Sequence, residues 1–162
     1  MENLWTPWRM GYILENKTRT GCLFCGLLKG PGDPPYLLHR GRLGFLILNV
    51  YPYTSGHVMA IPYDHVPSLG RMDRSAREEL LSLASAGEKA LVRAYGCDRV
   101  LAGVNVGRCA GAGVEGHVHI HLVPRRWGDA ARSRTSADPH GLPETLEVTF
   151  RKVQQALALA TS

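Results

Sequence analysis

The sequence predicts an α+β fold: about five short strands in an antiparallel sheet, with one long helix and a C-terminal helix packed on it. Three observations point there. Short apolar or alternating runs bounded by turn residues recur from Tyr36 to Val123. A helical apolar repeat interrupts them once, and a second amphipathic stretch follows a long polar segment. Strands paired mainly in sequence order, with helices covering one face, make such a layered fold. At roughly 150 residues per domain, the 162 residues suit a single domain over 1–162. Within it, 1–35 reads as an arm bearing two cysteines, 36–124 as the core and 125–162 as a polar loop and terminal helix.

The first strand, at an edge, is Tyr36 to His39. Leu43 to Leu48 and His57 to Ile61 follow, then Val100 to Val106 and His117 to Val123. Ser75-Ala76-Arg77-Glu78 has capping-box spacing, and Leu80, Leu83, Ala84, Gly87, Leu91 and Ala94 then recur at helical spacing until Gly96 supplies a stop. That predicts one helix of about five turns. A second helix is expected from Leu142-Pro143-Glu144, with proline in its first turn and Leu146, Phe150, Val153 and Leu157 as its apolar stripe. Gly26 to Pro35, Gly107 to Gly116 and Arg125 to Pro143 read as loops, and there is no internal repeat.

Nineteen Lys and Arg against fourteen Asp and Glu give a net charge of +5, with 20% charged and 44% hydrophobic residues. Mean hydropathy is −0.12. This balance argues against disorder and against a membrane span, and the basic excess fits either an anionic ligand or ordinary solubility charge. Met1 to Lys17 mixes Glu2, Arg9 and Glu15 with Trp and Pro rather than showing a basic start and an apolar run, so the expectation is a cytoplasmic protein. Four cysteines are few for a disulfide scaffold. Cys22-Leu23-Phe24-Cys25 has the spacing of a metal or redox pair, whereas Cys97 and Cys109 read as plain thiols.

The sharpest feature is His117-Val118-His119-Ile120-His121-Leu122-Val123. Side chains of an extended chain alternate faces, so three imidazoles point to one side while Val118, Ile120 and Leu122 enter the core on the other. Packing does not require that arrangement. It suits metal binding or acid, base or nucleophilic work. A nucleic-acid-binding zinc protein is a competing reading at pI ≈ 9.2, but it leaves the histidines unused and lacks an interleaved aromatic and basic pattern. A nucleotide sensor without turnover would keep the pocket and not need His119.

The histidine run resembles the signature of the histidine triad (HIT) superfamily of nucleotidyl hydrolases and transferases. Leu48 to His57 followed by Val58 to Pro62 is similar to the family's nucleoside-binding strand and turn, and Asn105 with Gly107 to Gly116 to its phosphate-side loop. Leu4 to Met10 and Leu142 to Leu146 resemble more narrowly the bacterial branch that includes diadenosine tetraphosphate phosphorylases. The resemblance implies a HIT-like fold and cleavage of a dinucleoside polyphosphate at an α-phosphate, with phosphate or water as acceptor. A nucleoside phosphoramidate or another nucleotide conjugate is the alternative substrate. His119 would be the nucleophile that forms a nucleotidyl-histidine, with His121 and His117 completing the catalytic set. Asn49, His57, Asn105, Gly111, Gly113 and Arg125 would serve the substrate, His57 as a support for the triad. The resemblance also implies a structural zinc held by Cys22, Cys25, His65 and His117, with His65 closing a Pro62-Tyr63-Asp64-His65 segment. A reduced thiol pair is the plain alternative. His39 and His140 read as surface residues. The family is usually homodimeric, so two copies are expected to pair, and Trp5, Trp8 and Tyr12 suit such an interface or a core equally. Where the phosphorylase branch continues from Pro-Arg-Trp to Gly-Asp-Thr-Asn-Phe, this chain reads Arg125-Arg126-Trp127-Gly128-Asp129-Ala130-Ala131-Arg132, without the Thr-Asn-Phe.

Overall fold

The computed structural model describes residues 21–125 and 144–159. The expectations placed on Trp5, Trp8, Tyr12, Arg126 to Arg132, His140, Leu142 and Pro143 lie outside those residues.

Five strands form one antiparallel sheet. They are β1 (Leu37–Arg40), β2 (Gly44–Leu48), β3 (Val58–Pro62), β4 (Arg99–Val104) and β5 (Ile120–Arg125), in the order β1-β2-β3-β5-β4. The helices are α1 (Leu23–Leu27), α2 (Arg74–Tyr95) and α3 (Leu146–Ala158). No described helix is long and apolar enough to cross a membrane.

Every residue of β2 and β3 is buried, which requires cover on both faces of the sheet. Alternation decides which cover each side chain meets. Leu46, Leu48, Val58, Ala60, Ile120 and Leu122 share one cluster with Leu80, Leu83 and Leu91 of α2. Phe45, Ile47, Met59 and Ile61 face the other way and cluster with Phe24 of α1. α2 lies across β2, β3, β5 and β4, while α3 rests on α2 and β1. Full burial of one such leucine contributes about 1.5–3 kcal/mol.

α2 approaches the sheet closely at one point. A Cβ on Gly87 would stand 2.7 Å from Leu122 Cδ1 and 3.5 Å from Leu46 Cδ2, so any larger residue there would displace the Leu122 side chain. At its far end Gly96 adopts the left-handed conformation (φ 55°, ψ 31°), the expected stop.

Three local expectations need correction. The capping box at Ser75 does not form: the helix starts two residues earlier, at Arg74 behind Asp73, and Glu78 pairs with Arg74 at 2.7 Å instead of reaching back. The start is held by Arg77, whose guanidinium donates to the Leu69 and Met72 carbonyls. α3 begins after Thr145, whose hydroxyl accepts from the Val148 N–H at 3.4 Å, so Glu144 precedes the helix. Finally, β5 pairs only from Ile120 onward. His117 to His119 form an extended lead-in, because the His117 ring takes the Pro62 carbonyl (2.9 Å) and the Val118 N–H goes to the Val66 carbonyl (2.7 Å). The inward and outward alternation persists through the lead-in, with Val118, Ile120 and Leu122 all in the helix-side core.

Candidate active site

On the face away from α2 the sheet carries a cleft with His119 and His121 in its lining. Its apolar wall comes from Leu23, Phe24 and Leu27 of α1 with Ile47 and Met59 of the sheet. Asn49, Tyr51 and Tyr53, from the turn after β2, line it as well, as do Gly111 and Gly113. Asn105, half-buried just past β4, and Arg125, at the end of β5, stand outside the lining. His39 is exposed.

Each imidazole is held by a partner that fixes its useful nitrogen. His119 Nδ1 lies 3.0 Å from the His117 carbonyl oxygen. A carbonyl only accepts, so the proton sits on Nδ1 and the lone pair on Nε2. His119 is 4% exposed, and burial lowers its pKa, opposed by that hydrogen bond. The ring is therefore neutral near pH 7, with an available lone pair.

A relay stands behind His121. The Tyr53 N–H donates to His57 Nδ1 (3.1 Å), so a neutral His57 carries its proton on Nε2 and donates it to His121 Nδ1 at 3.0 Å. That contact in turn places the proton of a neutral His121 on Nε2. His57 is fully buried, and Tyr53 stacks on it at 4.9 Å and 17°. Asn49 serves both the turn and the site: its Oδ1 accepts the Tyr51 N–H at 2.9 Å, and its Nδ2 lies 3.3 Å from His57 Nδ1. The Ser55 hydroxyl accepts the Glu144 N–H at 2.8 Å, which ties this turn to the segment before α3.

Cys22, Cys25, His65 and His117 converge, with their ligand atoms all within 4.8 Å of one another. His117 Nδ1 lies 3.4 Å from Cys22 Sγ and 3.6 Å from Cys25 Sγ, and His65 Nδ1 lies 3.4 Å from Cys25 Sγ. A tetrahedral zinc with bonds of ~2.3 Å to sulfur and ~2.0–2.1 Å to nitrogen sets its ligand atoms about 3.3–3.8 Å apart, so the set fits. His117 also has the outer partner that a ligating imidazole needs: Nε2–H donates to the Pro62 carbonyl, which leaves Nδ1 to ligate. Burial lowers the His117 pKa, which keeps that lone pair available. Cys97 is buried and Cys109 exposed, both apart from this group.

Two residue groups were missed from sequence. Leu23, Phe24 and Leu27 line the cleft, and an aromatic inside a Cys-x-x-Cys pair is the one signal that could have pointed to them. Tyr51 and Tyr53 are the others, readable only as turn residues until the turn folds against His57.

A family model for the HIT domain matches residues 37–128, more than half of the chain. Over 159 residues the chain is 28% identical to a Mycobacterium tuberculosis protein named AP-4-A phosphorylase, covering 93% of this chain and 82% of that one. It is 30% identical over 132 residues to an adenylylsulfatase of Arabidopsis thaliana, covering 82% of this chain and 66% of that protein. Its fold matches the crystal structure of a Zn-bound histidine triad family protein from Mycobacterium smegmatis with a TM-score of 0.69 and 26% identity, over 86% of this chain and 94% of that one.

Proposed function

This chain belongs to the HIT domain family, and from that premise we propose that it is a nucleotidyl transferase or hydrolase acting on dinucleoside polyphosphates of the diadenosine tetraphosphate kind. The observation that carries the reading is the state of His119: a buried, neutral imidazole, its Nδ1 proton held by a backbone carbonyl and its Nε2 lone pair available, in the lining of a cleft.

In the first step the Nε2 lone pair attacks the α-phosphorus. An N–P bond forms, the P–O bond to the rest of the phosphate chain breaks, and the leaving oxygen takes the electron pair. His121, with its proton on Nε2, donates a hydrogen bond to that oxygen, and His57 holds the tautomer. In the second step an acceptor oxygen attacks the same phosphorus, the N–P bond breaks, and the pair returns to His119. Phosphate as acceptor yields a nucleoside diphosphate; water yields a monophosphate. Backbone amides near Gly111 and Gly113 suit the phosphate oxygens, and Asn49 suits a ribose hydroxyl. The relative named AP-4-A phosphorylase supports the substrate class. The relative named adenylylsulfatase favours a second reading, in which the same attack releases an adenylyl group from a smaller conjugate.

A zinc ion held by Cys22, Cys25, His65 and His117 would be structural, since four protein donors leave no position for substrate. The Zn-bound relative supports it.

The test is incubation with diadenosine tetraphosphate, with and without inorganic phosphate. ATP plus ADP formed only with phosphate establishes phosphorolysis, and ATP plus AMP establishes hydrolysis. Absence of turnover in both, and with an adenylyl conjugate, overturns the reading.

A further inference from the structure

We propose that Phe24 is a positioning residue for the nucleophile, an inference that rests on the reading of His119 given above. Phe24 is the buried residue of α1, 2% exposed. Its ring meets His119 edge-on, with centroids 4.9 Å apart and planes at 66°, and meets His117 at 5.3 Å and 81°. His121 gives His119 a further ring contact at 4.6 Å and 76°.

The hydrogen bond from His119 Nδ1 to the His117 carbonyl chooses a tautomer, but one hydrogen bond alone is a weak guard against rotation about Cβ–Cγ. A half-turn of the ring would exchange Nδ1 with a carbon, lose that bond and carry Nε2 out of line. An aromatic edge packed against the imidazole resists this turn, since edge-to-face pairs have a preferred geometry. Phe24 can do so because its own position is gripped: it lies between Cys22 and Cys25, whose sulfurs stand 3.4 and 3.6 Å from His117 Nδ1. The four-donor cluster therefore reaches the nucleophile by two routes, through the backbone from His117 to His119 and through the Phe24 ring.

Phe24 also lines the cleft, which gives two distinguishable outcomes. A residue that only forms the wall affects KM; one that aims the nucleophile affects kcat. The experiment uses the metal-loaded full chain with Phe24→Leu, which keeps apolar bulk and removes the flat ring, and Phe24→Tyr, which restores the ring. Metal content, kcat and KM on diadenosine tetraphosphate, and the two-bond proton–nitrogen spectrum of the His119 ring are measured. Phe24→Leu is expected to keep its metal and near-normal KM, with kcat about 10- to 100-fold lower, the scale of a small misplacement of a reacting group. Its His119 spectrum should change from one tautomer to a mixture, and Phe24→Tyr should restore both. If Phe24→Leu loses its metal, Phe24→Met carries the same expectations. A raised KM with kcat intact, or a single unchanged tautomer in the Leu or Met variant, overturns the proposal. The ring spectrum needs no substrate, so it tests Phe24 even if diadenosine tetraphosphate is not turned over.

Discussion

The two faces of the sheet are covered in unlike ways. On one, the 22-residue helix α2 and helix α3 close over leucine, valine and alanine. On the other, the cover includes a five-residue helix gripped by sulfur and imidazole, and the buried surface includes His57, His117 and His119. The first face holds chiefly by apolar packing. The second adds to its own apolar cluster around Phe24, Phe45 and Ile61 a donor cluster and hydrogen bonds from ring to ring. Every second residue of β5 belongs to a different regime, and substitutions there can be sorted by face.

The largest effect is expected at His119. His119→Ala or His119→Asn should lower turnover by about 10⁴-fold or more while nucleotide binding and Tm stay close to wild type, measured by steady-state assay, titration and thermal unfolding. Rapid quenching without acid should trap α-label on His119 in the wild type. Next comes the donor cluster: Cys22→Ser or Cys25→Ser should remove about one metal per chain and on the order of 3–5 kcal/mol, about 10 °C in Tm, read by metal analysis and calorimetry. Metal-free protein prepared without chelator would break the comparison. His121→Ala should slow turnover ~10²- to 10³-fold, as loss of one donor to a leaving oxygen does, with little change in stability. Its neighbour Leu122, on the other face, should behave in the opposite way: Leu122→Ala is expected to cost about 3 kcal/mol of unfolding free energy in denaturant titration, with kcat intact in the folded fraction.

The helix-side face was legible in the sequence because its rule is simple. Short apolar and alternating runs located four strands to within a residue or two and the fifth to within three, and the 3.6 repeat from Leu80 to Leu91 with Gly96 located α2. Errors came where a side chain displaced a backbone partner. The capping-box spacing from Ser75 to Glu78 is real, but Ser75 lies inside a helix that starts behind Asp73, and the Glu78 carboxylate accepts from Arg74. His117 to His119 alternate like a strand yet pair as none, since the His117 ring claims the Pro62 carbonyl. On the cleft face the histidines and both cysteines could be picked out by type and spacing. What joined them was legible only through the family resemblance: the His57 to His121 contact spans 64 positions and the Cys22 to His117 contact 95, and no local pattern encodes such pairs.

The missing side chain at Gly87 has a consequence for how this protein can vary. A methyl there would press on Leu122 Cδ1, which would have to turn aside, so helix and strand can change at this point only together. The turn after β2 meets the same helix at its last residue, where a Cβ on Gly56 would stand 2.6 Å from Tyr95 Cε2, so both ends of that contact accept change only together.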